Sequence, residues 1–148
     1  MRRIVTGRGA DGRDAVILQD RVNPIAGMPG SRNETRLHWS TSGRIVLPHD
    51  GADPVAKAKG EMSPPSPGDS RFLFVTFPPG SATPIHATPT SDYVVVVAGE
   101  LWLVMENGDE CRLAAGDSVV QNGTRHAWDN RSAEPCTIAA VMIGAELR

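Results

Sequence analysis

The chain is expected to fold as an all-β protein: a jelly-roll type barrel in its second half, behind an irregular N-terminal arm. Three observations lead there. From residue 71 onward, short apolar runs of strand length alternate with Gly, Asn and Asp turn signals. Asn107-Gly108 sits between two such runs, the signature of a tight β-hairpin. No segment sustains the 3.6-residue periodicity of a long amphipathic helix.

Taken in order, residues 1–33 are rich in Gly, Asp and Arg and read as an irregular arm, with one β-like run at 15–18. Strands are expected over 35–39 and 44–47. Residues 48–70 carry five prolines and little apolar periodicity, which reads as a long surface loop of the kind that forms a lid or arm. Strands are then expected over 71–77, 93–98, 101–106, 110–113, 118–121, 125–129 and 137–143, a spacing that suits a barrel or sandwich. This divides one structural domain into residues 1–70 (arm, outer strands and Pro-rich loop) and 71–148 (barrel).

Composition narrows the partners. A chain of 148 residues fits one domain with a sizeable core. A formal net charge of −2 gives no electrostatic case for nucleic acid or an anionic membrane. No apolar run approaches the roughly 20 residues needed to span a bilayer. The basic pair Arg2-Arg3 has no apolar run behind it, so no secretory signal is read there. Cys111 and Cys136 lack Cys-x-x-Cys spacing and are expected to be buried and reduced, as in a cytoplasmic protein.

The chemistry-bearing residues fall in two His-centred segments. The first contains Gly80, His86, Thr88, Asp92 and Gly99; the second contains Gly116, Gln121, Gly123, His126, Trp128 and Asn130. This pattern resembles the two motifs of the cupin superfamily, small barrels with the double-stranded β-helix fold. Gly80, His86 and Gly99 stand at first-motif positions, and Gly123, His126 and Asn130 at the end of the second. The chain departs at Thr88, where the family has a second histidine, and at Asp92, where it has glutamate. Gly116 lies one residue closer than usual, and Gln121 replaces a proline. In the family, the three first-motif ligands and the second-motif histidine surround one divalent ion. The resemblance therefore implies either no cofactor or one divalent metal (Fe, Mn, Ni or Zn) at His86, Asp92 and His126. Thr88 and Asp92 weaken such a site, because a hydroxyl is a poorer transition-metal ligand than imidazole and aspartate is one methylene shorter than glutamate.

Strand alternation sorts these residues. Side chains two apart share a face, so His86 should point with Thr88, His126 with Trp128, and Asp92 with Val94 and Val96. His86, Asp92 and His126 are thus the catalytic candidates, with Thr88, Trp128, Val94 and Val96 as substrate-binding walls. Tyr93, Val95 and Val97 fall on the opposite face. Apolar residues on both faces call for a cover, either the N-terminal segment or a second copy, and a homodimer is expected. Asp117 and Asn130 read as turn and strand-end hydrogen-bonders, and His49 as a loop residue. Of His38 and Trp39, only one can face inward.

Two function classes follow. One is an enzyme on a small, largely apolar carbonyl-containing or cyclic metabolite, using acid–base chemistry as an isomerase, cyclase, dehydratase or decarboxylase. Its metal-assisted variant is a dioxygenase with a two-His-one-carboxylate site. The other is a ligand-binding protein without catalysis.

Overall fold

Alternating burial along a strand at Thr90–Ala98 organises the molecule: Asp92, Val94 and Val96 are buried, while Tyr93, Val95 and Val97 are exposed. The computed structural model describes residues 1–49, 51–56 and 62–146. Its elements are β1 (Arg2–Arg8), β2 (Asp14–Arg21), β3 (Ile25–Ala26), β4 (Glu34–Thr41), β5 (Ser70–Phe77), β6 (Ser81–Ala82), β7 (Thr90–Ala98), β8 (Glu100–Met105), β9 (Glu110–Ala114), β10 (Ser118–Asn122), β11 (His126–Asn130) and β12 (Cys136–Gly144). No helix occurs among the described residues.

One six-stranded sheet runs β10-β7-β12-β5-β4-β3, and a four-stranded sheet runs β6-β11-β8-β9. All pairings are antiparallel. Leu37, Leu73, Phe77, Val96, Leu101 and Ile138 are among the inward side chains that form the core. The β8–β9 hairpin turns at Asn107-Gly108 as expected: Gly108 takes φ +90° and the Asn107 side chain accepts from the Asp109 amide at 3.1 Å. Gly99, the last residue of the first motif, has φ +81°, and a Cβ there would lie 2.6 Å from the Pro135 carbonyl oxygen. Both facts restrict that turn to glycine.

Three expectations need correction. The first 33 residues are irregular only in part. β1 and β2 form an antiparallel hairpin with a register shift between Val5 and Thr6, tied down by Arg3, which is 7% exposed. The Arg3 guanidinium donates to Asp20 (2.6 and 3.0 Å), to Asp53 (2.7 and 3.1 Å) and to the His38 carbonyl (2.9 Å). A buried guanidinium persists only with such pairing, and this anchor joins residues too far apart in sequence to be matched by pattern.

Residues 44–47 are not a strand. Ile45, Val46 and Leu47 are 61%, 70% and 77% exposed, because Gly43 turns the chain after β4 and, among the described residues, no strand pairs with their backbone. Cys111 is exposed rather than buried, since it lies on β9, at the edge of its sheet. Cys136 is fully buried, and burial raises its thiol to about 11.

Candidate active site

The two motif histidines are held side by side by the backbone. His86 and His126 form an antiparallel bridge in which each amide donates to the other's carbonyl at 2.9 Å. Opposed residues project to the same face, and the ring centroids lie 4.4 Å apart. Each ring is oriented by a carbonyl two residues earlier: His86 Nδ1 lies 2.9 Å from the Pro84 oxygen, and His126 Nδ1 lies 2.8 Å from the Thr124 oxygen. A carbonyl only accepts, so Nδ1 carries the hydrogen on both rings. In the neutral form, Nε2 is left as the basic nitrogen.

These residues line a cavity of about 270 Å³ inside the barrel, together with Thr83, Thr88, Asp92 and Trp128. Most of the remaining wall is apolar, including Phe77, Val94 and Met142. Thr83 Oγ1 accepts from the Trp128 amide at 2.9 Å, and the Trp128 ring meets His126 edge-on at 5.5 Å. Gln121, standing where the motif has proline, is 3% exposed. Its Oε1 accepts from both the Thr124 amide and the Thr124 hydroxyl. It fixes the turn that delivers His126. A larger open groove of about 890 Å³ lies outside the barrel, lined by residues of β1, β4 and β5 and the 44–49 segment, and it contains none of the motif residues.

His86, Thr88, Asp92, Val94, His126 and Trp128 thus share one cavity, as alternation predicts. Val96 does not join them; it faces inward but sits in the core, 1% exposed, away from the cavity lining. Sequence reasoning missed Thr83, Asn33 and Thr35, which also line the cavity. Thr83, three residues before His86, has the opposite parity, and the pairing of β6 with β11 brings it to the cavity. Asn33 and Thr35 were not within reach of the alternation rule, because β4 enters the sheet through a long-range pairing.

A metal does not fit this donor set as arranged. Among the described residues, no group of three His, Cys, Asp or Glu is placed to hold one. The Thr88 hydroxyl, which occupies the position of the missing imidazole, hydrogen-bonds Thr90 Oγ1 at 2.7 Å.

Burial moves the two central groups toward each other in acidity. Desolvation raises the Asp92 carboxyl above its ordinary 3.8, partly offset by the Thr90 hydroxyl and the charge of His86. Asp92 Oδ1 is buried without a hydrogen-bond partner. Desolvation lowers the His126 imidazole below 6.5, opposed by the Thr124 carbonyl, and the His86 charge lowers it further.

The linkage signs are opposite for the two groups. The native state resists protonating His126, so stability is lost as pH falls below about 6.5 until the lowered native value is reached. The native state holds the Asp92 proton more tightly than the unfolded chain, so stability falls as pH rises from about 3.8 through the raised native value. Asp92→Asn is therefore expected to melt higher than the parent at pH 7, with the difference vanishing near pH 3. Thermal melts across that range check it; an Asn variant less stable at pH 7 contradicts the assignment.

Comparison with known proteins agrees with this architecture. Residues 73–143 match the model of the cupin domain. The chain belongs to the cupin superfamily. Among its relatives is phomopsin biosynthesis cluster protein C' of Diaporthe leptostromiformis, 36% identical over 106 residues, which cover 70% of this cupin and 56% of that protein. Another is a cupin-domain-containing oxidoreductase of Neurospora crassa, 29% identical over 130 residues, covering 86% of this chain and 65% of that one. The chain spans no more than 66% of the length of the curated relatives it matches. The polyketide cyclase RemF of Streptomyces resistomycificus shares the fold, with a TM-score of 0.59 and 16% identity over 82% of this chain and 73% of that one.

Proposed function

We propose that this cupin is a small-molecule enzyme that moves a proton on a small, largely apolar carbonyl compound, as an isomerase, cyclase or lyase does. The observation that carries the reading is a pair of imidazoles with Nδ1 committed to backbone carbonyls, beside a buried carboxyl, in an apolar cavity. Lowered by burial, His126 is neutral at physiological pH, and its Nε2 accepts the proton of a C–H next to a carbonyl. The electron pair of that bond moves to the carbonyl oxygen. Asp92, held protonated to a higher pH than an ordinary carboxyl, donates to that oxygen and forms the enol. With an unsaturated carbonyl compound, His126 returns its proton to the γ-carbon of the dienol while the enol O–H gives its proton back to Asp92 and the carbonyl re-forms. This gives the isomer and restores both groups. A cavity of about 270 Å³ limits the substrate to a small molecule. Relatives in fungal biosynthesis clusters are consistent with a metabolite substrate.

The test uses 2-tetralone in D₂O. Incorporation of deuterium next to its carbonyl, faster with the protein than with buffer and lost in His126→Gln, supports the reading. Exchange at the buffer rate opposes it.

A redox reading is favoured by the names of three relatives, each a cupin-domain-containing oxidoreductase. Elemental analysis of protein purified without chelator separates the two. Near one equivalent of a divalent metal per chain, lost in His86→Ala, replaces the proton-transfer reading with a metal-assisted one.

The reading includes a homodimer. Across the outer face of the large sheet, register aligns Val120, Tyr93, Val141, Phe72 and Trp39 in one row spanning five strands. Val120, Tyr93 and Phe72 are 62%, 53% and 39% exposed, so this part of the row is open, while Trp39 at its β4 end packs against His49 beside the groove that β1 lines. The row carries no charge, and a second copy laid against it by a twofold axis meets the same apolar surface. Sedimentation is expected to show twice the 15.8 kDa chain mass, and Val120→Lys is expected to shift it to the monomer. A parent protein that sediments only as the single chain refutes the dimer.

A further inference from the structure

Asn33 lies just ahead of β4 and outside both cupin motifs, yet it lines the same cavity as the histidines. It is 8% exposed, and its Oδ1 is buried with no hydrogen-bond partner. Native interiors rarely leave such an acceptor uncompensated. Asp92 Oδ1 is a second orphaned acceptor lining this cavity.

The backbone is shaped to keep Asn33 in place. A Cβ added at Gly27 would lie 2.5 Å from the Asn33 carbonyl oxygen and 3.3 Å from its Cβ. Only glycine at 27 lets that chain segment press against Asn33 where it stands. Thr35, two residues on, lines the cavity as well, so this face of β4 is continuous with the motif walls.

We propose that Asn33 reads the substrate: its Oδ1 accepts a hydrogen bond from a hydroxyl on a small, largely apolar molecule held between it and the histidines. This rests on the proposed function and adds the substrate class, a hydroxylated carbonyl or aromatic compound of one or two rings. A hydroxyl is chosen over a protonated amine because the mostly apolar walls would leave an ammonium charge desolvated. The mostly apolar walls hold the remainder of the ligand.

The experiment compares 2-naphthol with 2-methylnaphthalene, near-isosteres that differ by a hydroxyl against a methyl group. Binding is read by NMR titration of the Trp128 indole and His126 ring signals. Asn33→Leu is expected to weaken 2-naphthol by about 3- to 10-fold, the worth of one neutral hydrogen bond. The affinity for 2-methylnaphthalene is expected to hold or rise. The shorter Asn33→Ser, which withdraws the carbonyl acceptor with less demand on packing, is expected to change the ratio in the same direction. A ratio unchanged in both variants, with both probes bound, overturns the role of Asn33 alone. Failure of both probes to perturb the cavity signals of the parent protein overturns the cavity as the functional site, and this inference with it.

Discussion

Changing His126 to Gln is expected to slow proton exchange on 2-tetralone by about 10²- to 10⁴-fold, the range for removing a general base. Glutamine keeps a polar side chain at a position that is 2% exposed, so the barrel has little reason to collapse around it. It supplies no basic nitrogen in place of Nε2. The parent's rate is expected to fall on the acid side as His126 protonates, with a midpoint below the 6.5 of an ordinary imidazole, because burial disfavours the charged ring. The Gln variant should lack that limb. His86→Gln separates the two rings: His86 is the more exposed of the pair, and its amide and carbonyl hold the bridge whatever its side chain. A His126→Gln protein that exchanges at the parental rate removes His126 as the base, even if His86→Gln is inactive.

The second large effect concerns the fold rather than the reaction. Asn130 is 0% exposed and ties three chain segments together. Its Nδ2 donates to the carbonyls of Phe77 (3.0 Å), Pro78 (3.3 Å) and Glu134 (2.8 Å). Its Oδ1 accepts from the Ser132 amide at 3.0 Å and the Ser132 hydroxyl at 2.7 Å. Asn130→Asp keeps the shape and replaces the donor with an acceptor, setting a buried carboxylate oxygen against three carbonyl oxygens. With unsatisfied buried groups costing about 1–3 kcal/mol each, and charged ones more, the loss is expected to reach about 3–5 kcal/mol at pH 7. That is a large share of a typical domain's 5–15 kcal/mol. The damage falls next to the site, because Asn130 pairs with Ser81 on β6 and Asp129 with Ala82, just ahead of Thr83. Urea unfolding measures it. The deficit should shrink on acidification, when the carboxyl regains one hydrogen to donate. A variant within about 1 kcal/mol of the parent at pH 7 would show that these hydrogen bonds do not hold the loop.

The motif residues were legible because local rules govern them. Alternation along a strand is a property of the backbone, so the inward placement of Asp92 and Val94 and the outward placement of Tyr93, Val95 and Val97 could be read directly. The spacing of His86 and Thr88, and of His126 and Trp128, put each pair on one face by the same rule. Val96 shows where that rule stops. Facing inward is settled by parity, but whether an inward residue meets a cavity or the core depends on which side chains arrive from the opposite sheet.

By itself, the sequence determined the all-β class, most strand positions from residue 70 on, the Asn107-Gly108 turn and the identity of the paired histidines. The strands and the turn follow from interactions between neighbours along the chain, whereas the pairing of the histidines was implied by the resemblance to the two cupin motifs. Only the tertiary structure decided that residues 1–33 carry an antiparallel hairpin fastened by Arg3, that residues 44–47 lie in the open, and that Asn33 and Thr35 complete the cavity wall. Those outcomes turn on partners distant in sequence: Asp53 for Arg3, β5 for β4, and, among the described residues, no strand paired with Ile45-Val46. A strand's backbone needs a neighbour to accept its hydrogen bonds, and a buried charge needs a counter-charge. Neither can be read from a run of residues until the chain has folded around it.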